Sequence, residues 1–143
     1  MGKLATFIAL DGAARIAAIE AMAELVRASL LVALVPPRRW RRRFGPASAP
    51  PATRSAPADA RLVAEAIARA LRNLPFAPLC LPQALAARAM LARRGVDGEI
   101  RLGVRRGDAA GGTPRFHAWC KVGPHWVTGR CDEAAYALLT PAR

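Results

Sequence analysis

Apolar positions recur every three to four residues through the N-terminal part of the chain and every second residue beyond Gly98. In residues 11–35, Ile16, Ile19, Ala23, Val26 and Leu30 form one stripe, with Arg15, Glu20, Glu24 and Arg27 off it. That period predicts an amphipathic helix with the stripe inward, ended by Pro36-Pro37. Residues 46–58 are mostly proline, alanine and serine without a packing pattern, which reads as a linker. Asp59 is a suitable N-cap for a second helix over about 60–73, with Val63, Ile67, Ala70 and Leu71 inward. After the turn Leu74–Pro78, a third helix starts at Pro82, whose missing N–H costs nothing in a first turn. It runs to Arg93-Arg94 and stops at Gly95.

Beyond that point the period is two. Ile100, Leu102 and Val104 alternate with Arg101, Gly103 and Arg105. After the glycine-rich segment 107–114, Phe116, Ala118, Cys120 and Val122 alternate with His117, Trp119 and Lys121. Gly123-Pro124 turns the chain into a third strand, His125–Thr128. Helices first and an antiparallel sheet second predict an α+β fold. The expected division is an N-terminal helix with a basic end (1–45), a Pro/Ala-rich linker (46–58) and one further domain (59–143).

Composition changes this picture in three places. The net charge of +12 is carried almost entirely by arginine, five of them within 38–43 around Trp40. That favours an acidic partner, a membrane surface or nucleic acid. No phosphate loop, dinucleotide fingerprint or nucleic-acid-binding motif accompanies it, so nucleic acid is not expected as a partner. The most apolar stretch, Ala28–Val35, is about a third of what a bilayer span needs. Three cysteines, an odd number, with no secretory pattern at the start argue against a disulfide framework and for a reducing cytoplasm.

The candidate chemistry is carried by Cys80 and His117. A cysteine just ahead of a helix gains thiolate character from the unpaired N–H groups there. A histidine brought beside it can take the thiol proton and return it to a leaving group. Each has a plainer alternative: a free cysteine is commonly a small core residue, and a histidine on an exposed strand face is commonly inert. A third group should orient the imidazole. A two-residue turn at Gly123-Pro124 places His117 opposite Arg130, and a three-residue loop places Gly129 there; neither is a carboxylate. Asp132 lies on the same face at a diagonal distance of about 7–8 Å and is the candidate acid. The Glu133 side chain would start on the other face. Cys80, His117, Cys120, His125 and Cys131 lack the spacing of a closed zinc site, so neither metal nor cofactor is expected. Cys120 reads as core and Cys131 as semi-exposed.

The run Cys80-Leu81-Pro82-Gln83-Ala84-Leu85, then Arg94-Gly95, Leu102-Gly103-Val104 and His117-Ala118-Trp119, in this order, resembles the B-type leader peptidases of lasso-peptide maturation. The resemblance covers about residues 60–140. It implies a transglutaminase-like, papain-like cysteine protease fold and removal of the leader from a ribosomally made precursor peptide. Cys80 would be the nucleophile and His117 the base, with an aspartate at the position that Gly129 occupies here. The chain resembles the split, catalytic-only form, which works with a separate leader-recognition protein. Arg38–Arg43 is the candidate dock for that partner, for the macrolactam-forming cyclase or for the inner membrane surface. Two other activities fit the same residues: a non-catalytic peptide-binding module, and acyl transfer to an amine.

Overall fold

The computed structural model describes residues 2–40, 56–107 and 115–139. Most of the expected linker, Arg41–Arg43 and most of the glycine-rich segment lie outside these residues. A short helix α1 (Lys3–Ile8) precedes the long α2 (Gly12–Leu34). Asp11 caps α2, its carboxylate accepting from the Ala14 amide at 2.7 Å. After Pro36 a single turn follows, α3 (Pro37–Trp40). Helix α4 (Ala56–Leu71) begins three residues before the expected cap, so Asp59 sits inside its first turn.

Helix α5 (Cys80–Arg93) ends where the sequence suggested. Gly95 takes φ +69°, and the amides of Val96 and Gly95 close on the carbonyls of Leu91 and Ala92. That pair of bonds satisfies the last carbonyls of the helix.

Helix α2 packs on both α4 and α5, and its residues belong to the same core. Its orientation is opposite to expectation. The buried positions are Ala17, Ala18, Ala21, Glu24, Leu25 and Ala28. Ile16, Ile19, Val26 and Leu30 are 66, 55, 38 and 54% exposed. Two causes act together. The alanine face lets α2 approach the equally small faces of α4 (Ala60, Ala66, Ala70) and α5 (Ala84, Ala87) closely. The carboxylates on that side also meet cations at the end of α5. Glu20 pairs with Arg93 and Arg94, and Glu24 with Arg93 and Arg27, at 2.7–2.8 Å. Burial pushes Glu20 and Glu24 up, but the arginine hydrogen bonds outweigh it and hold both carboxyls below their usual range.

The sheet is antiparallel in the order β3-β2-β1-β4, from β1 (Glu99–Arg105), β2 (Phe116–Val122), β3 (His125–Thr128) and β4 (Tyr136–Leu138). The three expected strands are present, and Val122 pairs with His125 across a two-residue turn. The fourth strand, paired to β1 through Val104 and Ala137, was not legible in the pattern. One face of the sheet offers Ile100, Ala118, Cys120, Val122 and Val127 to the helices. Alternation puts Arg101, Gly103, His117, Trp119 and Lys121 on the other face, under the segment that runs from Gly129 to β4.

Candidate functional site

His117, the second residue of β2, is partly buried, and its ring position is fixed by one hydrogen bond. Its Nε2 lies 2.7 Å from the carbonyl oxygen of Gly129. A carbonyl can only accept, so Nε2 carries a proton, and in the neutral ring Nδ1 keeps the lone pair. Gly129 reaches this place through a register irregularity at Cys120/Lys121. Lys121 pairs with Trp126 but Cys120 with Thr128, one residue further along than a regular ladder would give. Gly129 then turns at φ +71°, and a Cβ there would stand 2.5 Å from the Ala118 oxygen and 3.0 Å from the Trp119 backbone. Only glycine fits this conformation and this space.

The ring is also stacked. Its centroid is 5.8 Å from that of Trp119 and 5.6 Å from that of Tyr136, which are 5.7 Å from each other. Trp119 is fully buried. Gly103 on the neighbouring strand makes room for it, since a Cβ there would meet the indole at 3.2 Å and Tyr136 at 2.9 Å. The indole Nε1–H donates to Glu133 Oε1 at 2.9 Å. Glu133 also accepts from Arg101 at 3.0 Å and from Lys121 at 2.9 Å. Burial pushes Glu133 up, and the hydrogen bonds of Lys121 and Trp119 more than reverse it, so the carboxyl stays below its usual range.

Glu133 is thus on the face of Trp119 and Lys121, not on the opposite one. The alternation used to place it stops at Gly129, where the backbone leaves the strand. Sequence reasoning missed Glu133 and Tyr136 as site residues. The available signal was Arg101, Trp119 and Lys121 on one face with no carboxylate opposite. Asp132, the candidate acid, is exposed, and its Oδ1 caps the one-turn helix Glu133–Ala135 by accepting from the Ala134 amide at 3.1 Å. The contact to His117 expected of Asp132 is made by the Gly129 carbonyl.

Cys80 is the first residue of α5, partly buried against the core, on a helix that packs on β2. The residue before it, Leu79, offers no side-chain cap. Pro82 has no N–H, so the amides of Cys80 and Leu81 are the donors that the helix start presents. Gln83 closes the approach by donating its side-chain amide to the Pro78 carbonyl at 2.8 Å. Among the described residues, no hydrogen bond joins the Cys80 thiol to the His117 ring. Burial pushes Cys120 up to about 12, and burial with the carboxylates of Glu133 and Asp132 raises Cys131. No group of three His, Cys, Asp or Glu side chains able to hold a metal occurs among the described residues. Nor is any helix among them long and apolar enough to cross a membrane.

A cysteine at a helix start with a histidine on the second strand of the following sheet is the order in which this site is built. The family model of the transglutaminase-like superfamily matches residues 22–140. The chain belongs to that superfamily. The match begins inside α2 and runs past β4, so it takes in the helical layer and the whole sheet. No curated protein and no solved structure matches the chain.

Proposed function

We propose that the chain is a cysteine peptidase that removes the leader from a ribosomally synthesised lasso precursor in the cytoplasm. The observation that carries the reading is the His117 tautomer. With Nε2–H committed to the Gly129 carbonyl, Nδ1 is the free base. In the proposed reaction Nδ1 takes the Cys80 proton and the thiolate attacks the carbonyl at the leader–core junction. The amides of Cys80 and Leu81 stabilise the oxyanion. The imidazolium then gives its proton to the departing core amine, and water cleaves the thioester to free the leader. Substrate seating is proposed to bring thiol and ring together, as catalytic hydrogen bonds often tighten only in the complex. The lasso assignment rests on the ordered motifs around Cys80, Gly95, Gly103 and His117, and it brings the precursor peptide and a separate leader-recognition protein as partners.

In this reading Gly129, not Asp132, supplies the orienting acceptor. Cys80→Ala is expected to abolish cleavage of a cognate precursor with the fold intact, and His117→Ala to slow it by about 10²–10⁴-fold. Asp132→Asn, still a competent cap, is expected to leave turnover unchanged. Cleavage that survives Cys80→Ala sinks the assignment of the nucleophile, and a large loss in Asp132→Asn restores the carboxylate. The His117 contact with a carbonyl rather than a carboxylate favours one rival, a non-catalytic peptide-binding module. That rival retains peptide binding but forms no thioester, which mass spectrometry of the trapped protein detects. Mass also separates a hydrolysed leader from one transferred to an amine.

A further inference from the structure

We propose that the outward face of α2 is a docking seam for a helix of an acidic partner protein. The inference does not depend on the assignment of Cys80. Ile16, Ile19, Ala23, Val26, Leu30 and Ala33 follow one another at spacings of three and four residues, and all are exposed. That is the a/d rhythm of a coiled-coil seam, about 26 Å long at 1.5 Å per residue. The opposite face of α2 is already packed on α4 and α5, so the helix is apolar on both sides. A helix of that kind is normally covered on both sides.

Charge selects the occupant. The charged side chains exposed along the helical part of α2 are Arg15 and Arg27, and Arg38 and Arg39 follow its end. Its two carboxylates, Glu20 and Glu24, are turned inward and held by Arg93, Arg94 and Arg27. Asp11 is engaged in the N-cap. A second copy would therefore bring arginines to a seam already edged by arginines, from a chain of net charge +12. A partner helix with carboxylates beside its apolar row supplies what this surface lacks. A bilayer fits less well, because the seam is narrow and carries none of the aromatic side chains that anchor interfacial helices.

The test uses the full chain and a fluorescent synthetic helix of about four heptads, with leucine at a and d and glutamate at e and g. Binding followed by anisotropy is expected to weaken with salt and to fall about tenfold or more in Ile19→Glu, Leu30→Glu and Arg15→Glu. A peptide with lysine in place of glutamate is expected to bind about tenfold less tightly than the acidic one. Because these side chains are exposed, each variant should keep the parental circular dichroism melt, which separates lost docking from lost folding. Equal binding of the acidic and basic peptides overturns the proposal. So does a dimer in sedimentation that Ile19→Glu dissociates, which assigns the face to a second copy. Flotation with phosphatidylglycerol vesicles, lost in Ile19→Glu and without peptide binding, assigns it to lipid and equally overturns the proposal.

Discussion

The two faces of β2 are one residue apart in sequence and follow different physics. Ala118, Cys120 and Val122 meet the helices through small apolar contacts, and nothing on that side depends on direction. His117, Trp119 and Lys121 meet a folded-back segment through aimed contacts: a carbonyl on a ring nitrogen, an indole N–H on a carboxylate, an ammonium on the same carboxylate. The helix-facing side tolerates changes that keep volume, whereas the far side holds one ring in one tautomer and therefore tolerates few. A sheet of this kind carries undirected packing on one side and directed contacts on the other, alternating along a single strand.

The widest gap between the faces should come from truncating neighbours. Trp119→Ala removes a fully buried indole and is expected to cost about 3–5 kcal/mol, a large share of a small domain's stability. Cys120→Ala, equally buried, deletes one sulfur and should cost about 1–2 kcal/mol. Urea unfolding of both variants checks the pair. Similar costs would mean that the far face is ordinary core and the comparison fails.

Gly129 sharpens the contrast further. Gly129→Asp puts a carboxylate where the resemblance to the leader peptidases implies one, yet its Cβ would collide with the Ala118 oxygen at 2.5 Å and the backbone would sit at φ +71°. We expect a loss of about 1–3 kcal/mol and a displaced His117 ring, not a rescued triad. Long-range ¹⁵N–¹H correlation of the imidazole reads this directly: the parent should show the Nε2–H tautomer. Higher activity in Gly129→Asp would show that the strand adapts and that the carbonyl contact is incidental.

The smallest effect concerns Glu133. Its carboxyl titrates lower in the folded chain than in the unfolded one, where the ordinary value is about 4.3. The folded form thus holds the proton less tightly. The contribution of Glu133 is present above the unfolded value and is lost as pH falls through the folded one. Glu133→Gln should cost about 1 kcal/mol at pH 7, since the carboxylate is part-solvated, and the gap to the parent should close as pH falls below the ordinary carboxylate range. Glu20 and Glu24, also held low, keep their own acid sensitivity in both proteins.

Much of the scaffold was legible because its signals are local. Gly95 stops α5, Pro36 follows the end of α2, and Gly123-Pro124 turns β2 into β3. What escaped was set by contacts distant in sequence. The bulky stripe of α2 looked like its inner face, but close approach of alanines and the Glu20 and Glu24 ion pairs with Arg93 and Arg94 turned the helix over. The irregularity at Cys120/Lys121 shifts the ladder by one, and a one-residue shift exchanges faces. Beyond Gly129 the backbone leaves the strand, so alternation no longer placed Asp132, which is a cap, or Glu133, which meets Arg101, Trp119 and Lys121. Cys80 and His117 were singled out by residue type and order. The group that holds the histidine was not, because a peptide carbonyl has no letter in a sequence.

Half of the buried apolar side chains among the described residues are alanines, from Ala17 on α2 to Ala118 on β2. An alanine removes one methyl group from water, so the area that unfolding re-exposes is small for the number of residues ordered. The heat capacity of unfolding scales with that area and falls below the usual ~12–15 cal/mol/K per residue. Stability then varies little with temperature: the dome is broad and shallow.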